Sequence, residues 1–391
     1  MPRTSLGPTV VSLAVSDLLA PLAFSGKAVA EASGQYLAYV GTFTGARSQG
    51  IYAYRCDARS STVTPLGCVV ETVNPAFLAL NPAGTHLYAV NEIGEFKGAK
   101  TGAVSAFAVD RETGRLRLLN QVSSAGPGPC HLTVDASGRQ VLVANYTGGS
   151  VAVLPILPGG SLGEATARVQ HSGSSVNPDR QREPHAHCVA LSPDNRFAFV
   201  ADLGIDQVKG YRFDPTRGTL TANDPAFIAL PPGSGPRHLA FHPDGRHAYV
   251  ITELLSTVSV LDYAPKAGAF SLRQTVSTLP DGFTGRSTAA EIAVHPSGRY
   301  AYGSNRGHDS VVAFAIASDT GELSPVQHIR TGGKTPRHIA IDPLGHNLWV
   351  ENQDSDNITV FRIDELTGRL DATGPVLTVG SPVCVQFLPL P

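Results

Sequence analysis

The chain has 391 residues, a formal net charge of −2 and 16 % charged side chains. No basic block is present that could neutralise a run of phosphates, which excludes the nucleic-acid partners that depend on one. The 40 glycines and 29 prolines are spread evenly, which excludes a low-complexity tail and suits many short strands joined by turns. Five cysteines (Cys56, Cys68, Cys130, Cys188 and Cys384) form no CxxC pair and no zinc-type spacing. They are read as free, mostly buried thiols; a Cys56–Cys68 bridge across a hairpin is the alternative.

In chain order, residues 1–35 stand apart. Arg3 precedes an apolar stretch from Val10 to Phe24, interrupted by Asp17, and Ala28-Val29-Ala30 then forms a small-x-small pattern. This is the layout of a secretory signal peptide; an unstructured extension is the alternative. A cleaved signal would place the protein in the periplasm or outside the cell, and an uncleaved extension in the cytoplasm. No later segment approaches the roughly 18 apolar residues needed to span a bilayer, so no membrane partner is expected.

From residue 36 to 391 one unit recurs and reads as a single domain. Its first strand is seen in NPAFLALNPAG (74–84), GPCHLTVDASG (128–138), EPHAHCVALSPDN (183–195), GPRHLAFHPDG (235–245), TAAEIAVHPSG (288–298) and TPRHIAIDPLG (335–345). The turn residues Pro82, Ala136, Pro193, Pro243, Pro296 and Pro343 lie 54, 57, 50, 53 and 47 residues apart. Periods of about 40–50 residues holding four short strands are the mark of a β-propeller. A second strand follows each turn (HLYAVNE, QVLVANY, RFAFVADL, HAYVITEL, YAYGSNR, NLWVENQ), then a third, and Asp/Gly turns such as DRETGRL (110–116) and DELTGRL (364–370) lead to a fourth.

The second strand occurs a seventh time, as QYLAYVGT (35–42), without a first strand before it. The missing partner is SPVCVQFLP (381–389) at the other end of the chain. The fold class is therefore all-β: a seven-bladed propeller whose ring is closed when the C-terminal strand joins the N-terminal blade, which leaves no open sheet edge across the seam. A linear solenoid would have no use for the displaced strand.

Antiparallel pairing puts the start of each first strand and the end of each second strand on one face, around the channel mouth. The starts supply His131, His185, His187, Arg237, His238, Glu291, Arg337 and His338; the ends supply Asn91, Glu92, Asn145, Tyr146, Asp202, Glu253, Asn305, Arg306, Asn352 and Gln353. Three arginines, several histidines and a few carboxylates suit a small anionic or polyhydroxylated ligand. Arg237 and Glu253, 16 residues apart across one turn, should lie side by side, either as an active pair or as a brace for the blade. His185 and His187 fall on one side of their strand. A histidine recurring at 131, 238 and 338 is read as bonding a neighbouring blade's backbone, and the terminal Asn and Asp residues as turn caps. Neither G-x-S-x-G, nor a phosphate loop, nor H-E-x-x-H is present.

GPRHLAFHPDGRHAYVITEL (235–254), PHAHCVALSPDNRFAFVADLG (184–204) and STAAEIAVHPSGRYAYGSNR (287–306) resemble the seven-bladed lactonase family, which includes propeller-type 6-phosphogluconolactonases and fungal carboxy-cis,cis-muconate cyclases. The resemblance spans residues 36–391. It implies a lactone hydrolase without a cofactor or a metal, with His187, Arg237, Glu253 and Arg306 catalytic. Glu253 or His187 would be the base, and the two arginines would hold the substrate anion and stabilise developing charge. Around these four, His185, His238, Glu291 and Arg337 are expected to bind a small anionic or polyhydroxylated lactone. Two alternatives remain: a carboxymuconate-type cycloisomerase, since a family does not fix a reaction, and a non-catalytic binding propeller. A calcium-dependent lactonase would need hard oxygen ligands from several blades, for which Asn145, Asp202 and Asn352 are the candidates.

Overall fold

A computed structural model describes residues 33–60 and 62–391. The signal-like stretch lies outside the described residues. Within them, seven antiparallel sheets each run from an inner to an outer strand. We number the blades by chain order of their second strands: Gln35–Thr42, His86–Asn91, Gln140–Asn145, Phe197–Asp202, His247–Thr252, Tyr300–Arg306 and Asn347–Asn352. Blade 1 closes the ring as expected. Its innermost strand is Pro382–Pro389, paired antiparallel with Gln35–Thr42 in the register Tyr36↔Pro389 and Val40↔Val385.

The turn between first and second strands needs a left-handed residue, and glycine supplies it at Gly84, Gly138, Gly245, Gly298 and Gly345, with φ between 62° and 81°. In blade 4 the same place is taken by Asn195 at φ 61°, a residue whose short polar side chain tolerates that region. The core lies between blades. Trp349, Tyr39, Tyr88, Tyr249, Tyr302, Phe107 and Phe199 are among its largest fully buried side chains, each worth roughly 1.5–3 kcal/mol on burial. Three of the tyrosines also bolt one blade to the next. The hydroxyls of Tyr88, Tyr249 and Tyr302 donate to the carbonyls of Gly160, Gly321 and Gly368, at 3.0, 2.9 and 2.9 Å. All five cysteines are free, with only Cys68 part-exposed; in the register of the hairpin Cys68 faces Tyr52 and Cys56 faces Val63.

One backbone feature goes beyond simple alternation. Near the start of the inner strand the pairing skips a residue in blade after blade: between Pro129 and His131, Ala186 and Cys188, Pro236 and His238, and Pro336 and His338. Blade 6 slips between Ala289 and Ile292, and blade 1 beside Val383. A β-bulge leaves one residue unpaired and re-aims its side chain. The residues so released are Cys130, His187, Arg237, Glu291 with Ala290, Arg337 and Val383.

Candidate active site at the channel mouth

The released side chains converge. Cys130, His187, Arg237, Glu291, Arg337 and Val383 all line one well on the propeller axis, together with Ala76, Phe77, Glu92, His238 and His338. The well measures about 10 Å³, on the order of one water molecule, so a larger ligand must extend beyond it at the mouth. A cleft of about 1080 Å³ lies elsewhere, between blades 7 and 1, where Tyr36, Trp349, Val360 and Arg362 are among its walls. It opens where the outer strand of blade 7 is split into Leu370–Asp371 and Val376–Thr378, and none of the mouth residues reaches it. Convergent chemistry, not volume, marks the site.

Glu253 is the centre of the arginine group. Its Oε2 accepts from Arg237 Nε at 3.1 Å and lies 2.9 Å from Arg306 Nη2, while its Oε1 accepts from Arg180 Nη2 at 2.8 Å. Burial alone would raise its pKa, but the three guanidiniums outweigh burial and hold it at about 2. Arg237 is buried and also donates from Nη1 to the Ala290 carbonyl at 2.7 Å. Burial, with Arg306 and Arg337 nearby, brings it down to about 10. Arg306 donates to the Ala289 carbonyl, and its buried Nε has no hydrogen-bond partner. Arg337 lies with its guanidinium 5.2 Å from the centre of the Phe43 ring.

His187 is buried beside this cluster, edge-on to Tyr146 at 5.4 Å and to His238 at 5.1 Å. Burial first, then the positive charges of Arg237 and its neighbours, hold its pKa well below the usual imidazole range, so the ring is neutral with a lone pair available. His185 stacks on Tyr146 at 4.5 Å, and its Nδ1 lies 3.1 Å from the Tyr146 carbonyl oxygen. Thus His187, Arg237, Glu253 and Arg306 share one place, with His185 and Arg337 at its edge.

His238 and Glu291 lie one step further along the channel and contact each other: His238 Nδ1 is 2.8 Å from Glu291 Oε1. His338 lies 3.7 Å from Glu291 and bonds Glu351 through Nδ1 at 2.9 Å. Glu291 is pushed up by burial but brought down to about 2, chiefly by His238. The expectation that the recurring histidines bond a neighbouring backbone holds for His131, whose Nδ1 accepts from Val189 N–H at 3.4 Å. It fails for His238 and His338, because the carboxylates of Glu291 and Glu351 are within reach and bind a ring N–H more strongly. Asn91, Asn145 and Asn305 do act as ties, donating to the carbonyls of Val73, Ser124 and Thr278.

Arg180 is the functional candidate that the repeat did not reveal. It comes from the long connection between the strands Ala167–Gln170 and Ala186–Leu191. Gln181 pins that loop by donating to the Leu203 carbonyl and to Asp206, both at 2.8 Å. Arg180 then reaches Glu253 and also donates to the Tyr146 hydroxyl at 3.1 Å. The available signal was the 57-residue spacing from Ala136 to Pro193, the longest between turns.

A seven-bladed propeller with an arginine-rich mouth around a neutral histidine is the class that fold and site define. The chain belongs to the family described as "Lactonase, 7-bladed beta-propeller", whose model matches residues 37–387. A 6-phosphogluconolactonase of Bacillus subtilis is 38 % identical over 297 residues, covering 76 % of this chain and 82 % of that protein. A protein of the same name from Formosa agariphila is 32 % identical over 301 residues, covering 74 % and 82 %. Among solved structures, a periplasmic gluconolactonase of Pseudomonas aeruginosa matches with a TM-score of 0.86 and 38 % identity, covering 91 % of this chain and 100 % of that one.

Proposed function

We propose that the protein hydrolyses the lactone of a sugar acid at the channel mouth, with 6-phosphogluconolactone or gluconolactone as the substrate. The observation that carries this is one ionised glutamate clasped by three arginines beside a neutral, buried histidine. Glu253, held near a pKa of 2, is a poor proton acceptor and instead orients the guanidiniums. His187 is the base: its ring nitrogen takes a proton from water as the water oxygen attacks the lactone carbonyl. Arg306, with its unpartnered buried Nε, donates to the oxyanion that forms. Arg337 and Arg180 bind the anionic or hydroxylated end of the substrate, and His185 on Tyr146 flanks the sugar ring. His238 and Glu291 form the floor on which the substrate rests.

The arginines suppress the basicity of His187 in the empty site. An anionic substrate that neutralises them returns part of that basicity at the moment it is needed. The names of the relatives support the reaction class. No helix among the described residues is long and apolar enough to cross a membrane, and we read the signal-like residues 1–30 as directing export, with a periplasmic relative in support. The test is proton release by freshly prepared lactone in a pH-stat. Acceleration over the spontaneous rate, lost in His187→Gln, is expected. No acceleration would overturn the reading.

A further inference from the structure

Opening a lactone needs two proton transfers, one from the attacking water, which His187 accepts, and one to the leaving ring oxygen, for which the carboxyl groups of the well are the other candidates. The oxygen that leaves the carbonyl carbon is an alkoxide, a poor leaving group unless it is protonated as the bond breaks. Glu253 cannot protonate it, since three arginines keep it ionised. Glu291 and Glu351 are committed to His238 and His338.

Glu92 differs from all three in having no ion pair among the described residues: Glu291 Oε2 and Glu351 Oε1 also lack a hydrogen bond, but a histidine bonds the other oxygen of each. It follows the second strand of blade 2, His86–Asn91, and its backbone is fixed from both sides by Asn74: Glu92 N–H donates to the Asn74 carbonyl at 3.0 Å, and Asn74 Nδ2 donates to the Glu92 carbonyl at 3.2 Å. Its side chain lines the well with His187, Arg237 and Arg337, and its buried Oε2 has no hydrogen-bond partner. A carboxyl oxygen left unpaired in a charged well is costly unless a ligand completes it.

Building on the lactonase reading above, we propose that Glu92 is a further catalytic residue, the general acid that protonates the leaving ring oxygen. His187 takes one proton from water as the water oxygen bonds to the carbonyl carbon. The tetrahedral intermediate then breaks its bond to the ring oxygen. That oxygen keeps the electron pair and takes the Glu92 proton, and the proton on His187 passes through solvent to restore Glu92. One water is consumed and one hydroxy acid released. Burial raises the Glu92 pKa against the pull of Arg337 and Arg237, and an anionic substrate that neutralises those arginines favours the protonated form further.

The test compares leaving groups in Glu92→Gln, a substitution of the same shape. With glucono-δ-lactone, whose leaving oxygen is an alkoxide, kcat should fall by about 100-fold or more. With an aryl lactone such as dihydrocoumarin, whose phenolate departs without a proton, it should fall only a few-fold. The descending alkaline limb of the wild-type kcat profile on glucono-δ-lactone should vanish in the variant. Equal losses on both lactones, or no loss on either, would overturn the assignment while leaving the lactonase reading intact. A wild-type protein that opens neither of these lactones nor 6-phosphogluconolactone overturns that reading and the assignment with it.

Discussion

The channel holds two charged groups, which two of the inner strands feed with adjacent residues, and they are balanced differently. Arg237 and His238 are neighbours, as are Arg337 and His338, and all four line one well, yet the bulge turns the two side chains of each pair to different partners. In one group two carboxylates, Glu291 and Glu351, meet two histidines, His238 and His338, in direct contact. In the other a single carboxylate, Glu253, meets three guanidiniums, with Arg337 nearby. A matched buried network has only to satisfy itself. A group with surplus positive charge costs stability in the free protein and is explained by an anion that completes it. The contrast separates scaffold from site more sharply than burial does, since both groups contain buried side chains.

Substitutions in the two groups should therefore fail in different ways. After the loss expected in His187→Gln, a large effect is expected from Arg306→Ala, which removes the unpartnered donor at the mouth. Steady-state kinetics should show kcat lower by roughly 10²–10³-fold, with Glu253 still held by Arg237 and Arg180. A kcat within a few-fold of wild type would remove the oxyanion role. The next effect belongs to the floor. Glu291→Ala strips the hydrogen-bond acceptor from the buried ring of His238 and should lower unfolding free energy by about 1–3 kcal/mol, measured by urea titration at neutral pH. The pH dependence follows from the same contacts; burial holds His238 down at about 4, so it faces Glu291 as a charged partner only in acid. Glu253 and Glu291 both sit at about 2 in the folded protein, below their unfolded value near 4.5. Their stabilisation is complete above pH 4.5 and is lost as pH falls toward 2. The acid limb of the stability profile should flatten in Glu291→Ala; an unchanged limb would mean that this carboxylate is not the group that titrates.

A smaller effect tests the loop that crosses the mouth. Arg180→Ala should raise KM for a phosphorylated lactone by about 10-fold, roughly 1.4 kcal/mol, and change unfolding free energy by less than about 1 kcal/mol, because the Arg180 side chain is 39 % exposed. Equal KM values for the variant and wild type would remove Arg180 from substrate binding. This residue also shows where sequence reading stops. The blades, the ring closure and the meeting of Arg237 with Glu253 were legible because turn residues recur and antiparallel pairing follows from spacing. The bulge was not, since it is a backbone irregularity with no residue type of its own: Cys130, His187, Arg237 and Arg337 share a place and nothing else. Nor was Arg180, which belongs to a connection outside the repeat and acquires its position from Gln181 and Asp206.

The smallest expected effect is none at all, and it divides the mouth from the far end of the disc. A calcium-dependent variant of the reaction would draw on Asn145, Asp202 and Asn352. Asp202, the one carboxylate among them, is already committed: Oδ1 accepts His185 N–H at 2.7 Å and Gly204 N–H at 3.0 Å, while Oδ2 is 2.6 Å from His171 Nδ1. The tightest group of possible ligands among the described residues is His242, Asp244 and His247, at the turn on the opposite face. There the lone pairs are engaged as well. His242 Nδ1 accepts Asp244 N–H at 3.1 Å, its Nε2 lies 2.8 Å from the Gly298 carbonyl oxygen, and His247 Nδ1 bonds Asp244 at 2.8 Å. A divalent ion would have to break these contacts before it could bind. Dialysis against a chelator should leave kcat/KM for the lactone within about two-fold of the untreated value, because the proposed chemistry uses His187 and guanidinium groups in place of a Lewis acid. A loss of activity restored by calcium would show that Asp202 exchanges its backbone partners for a metal and would move the reacting centre from Arg306 toward blade 4.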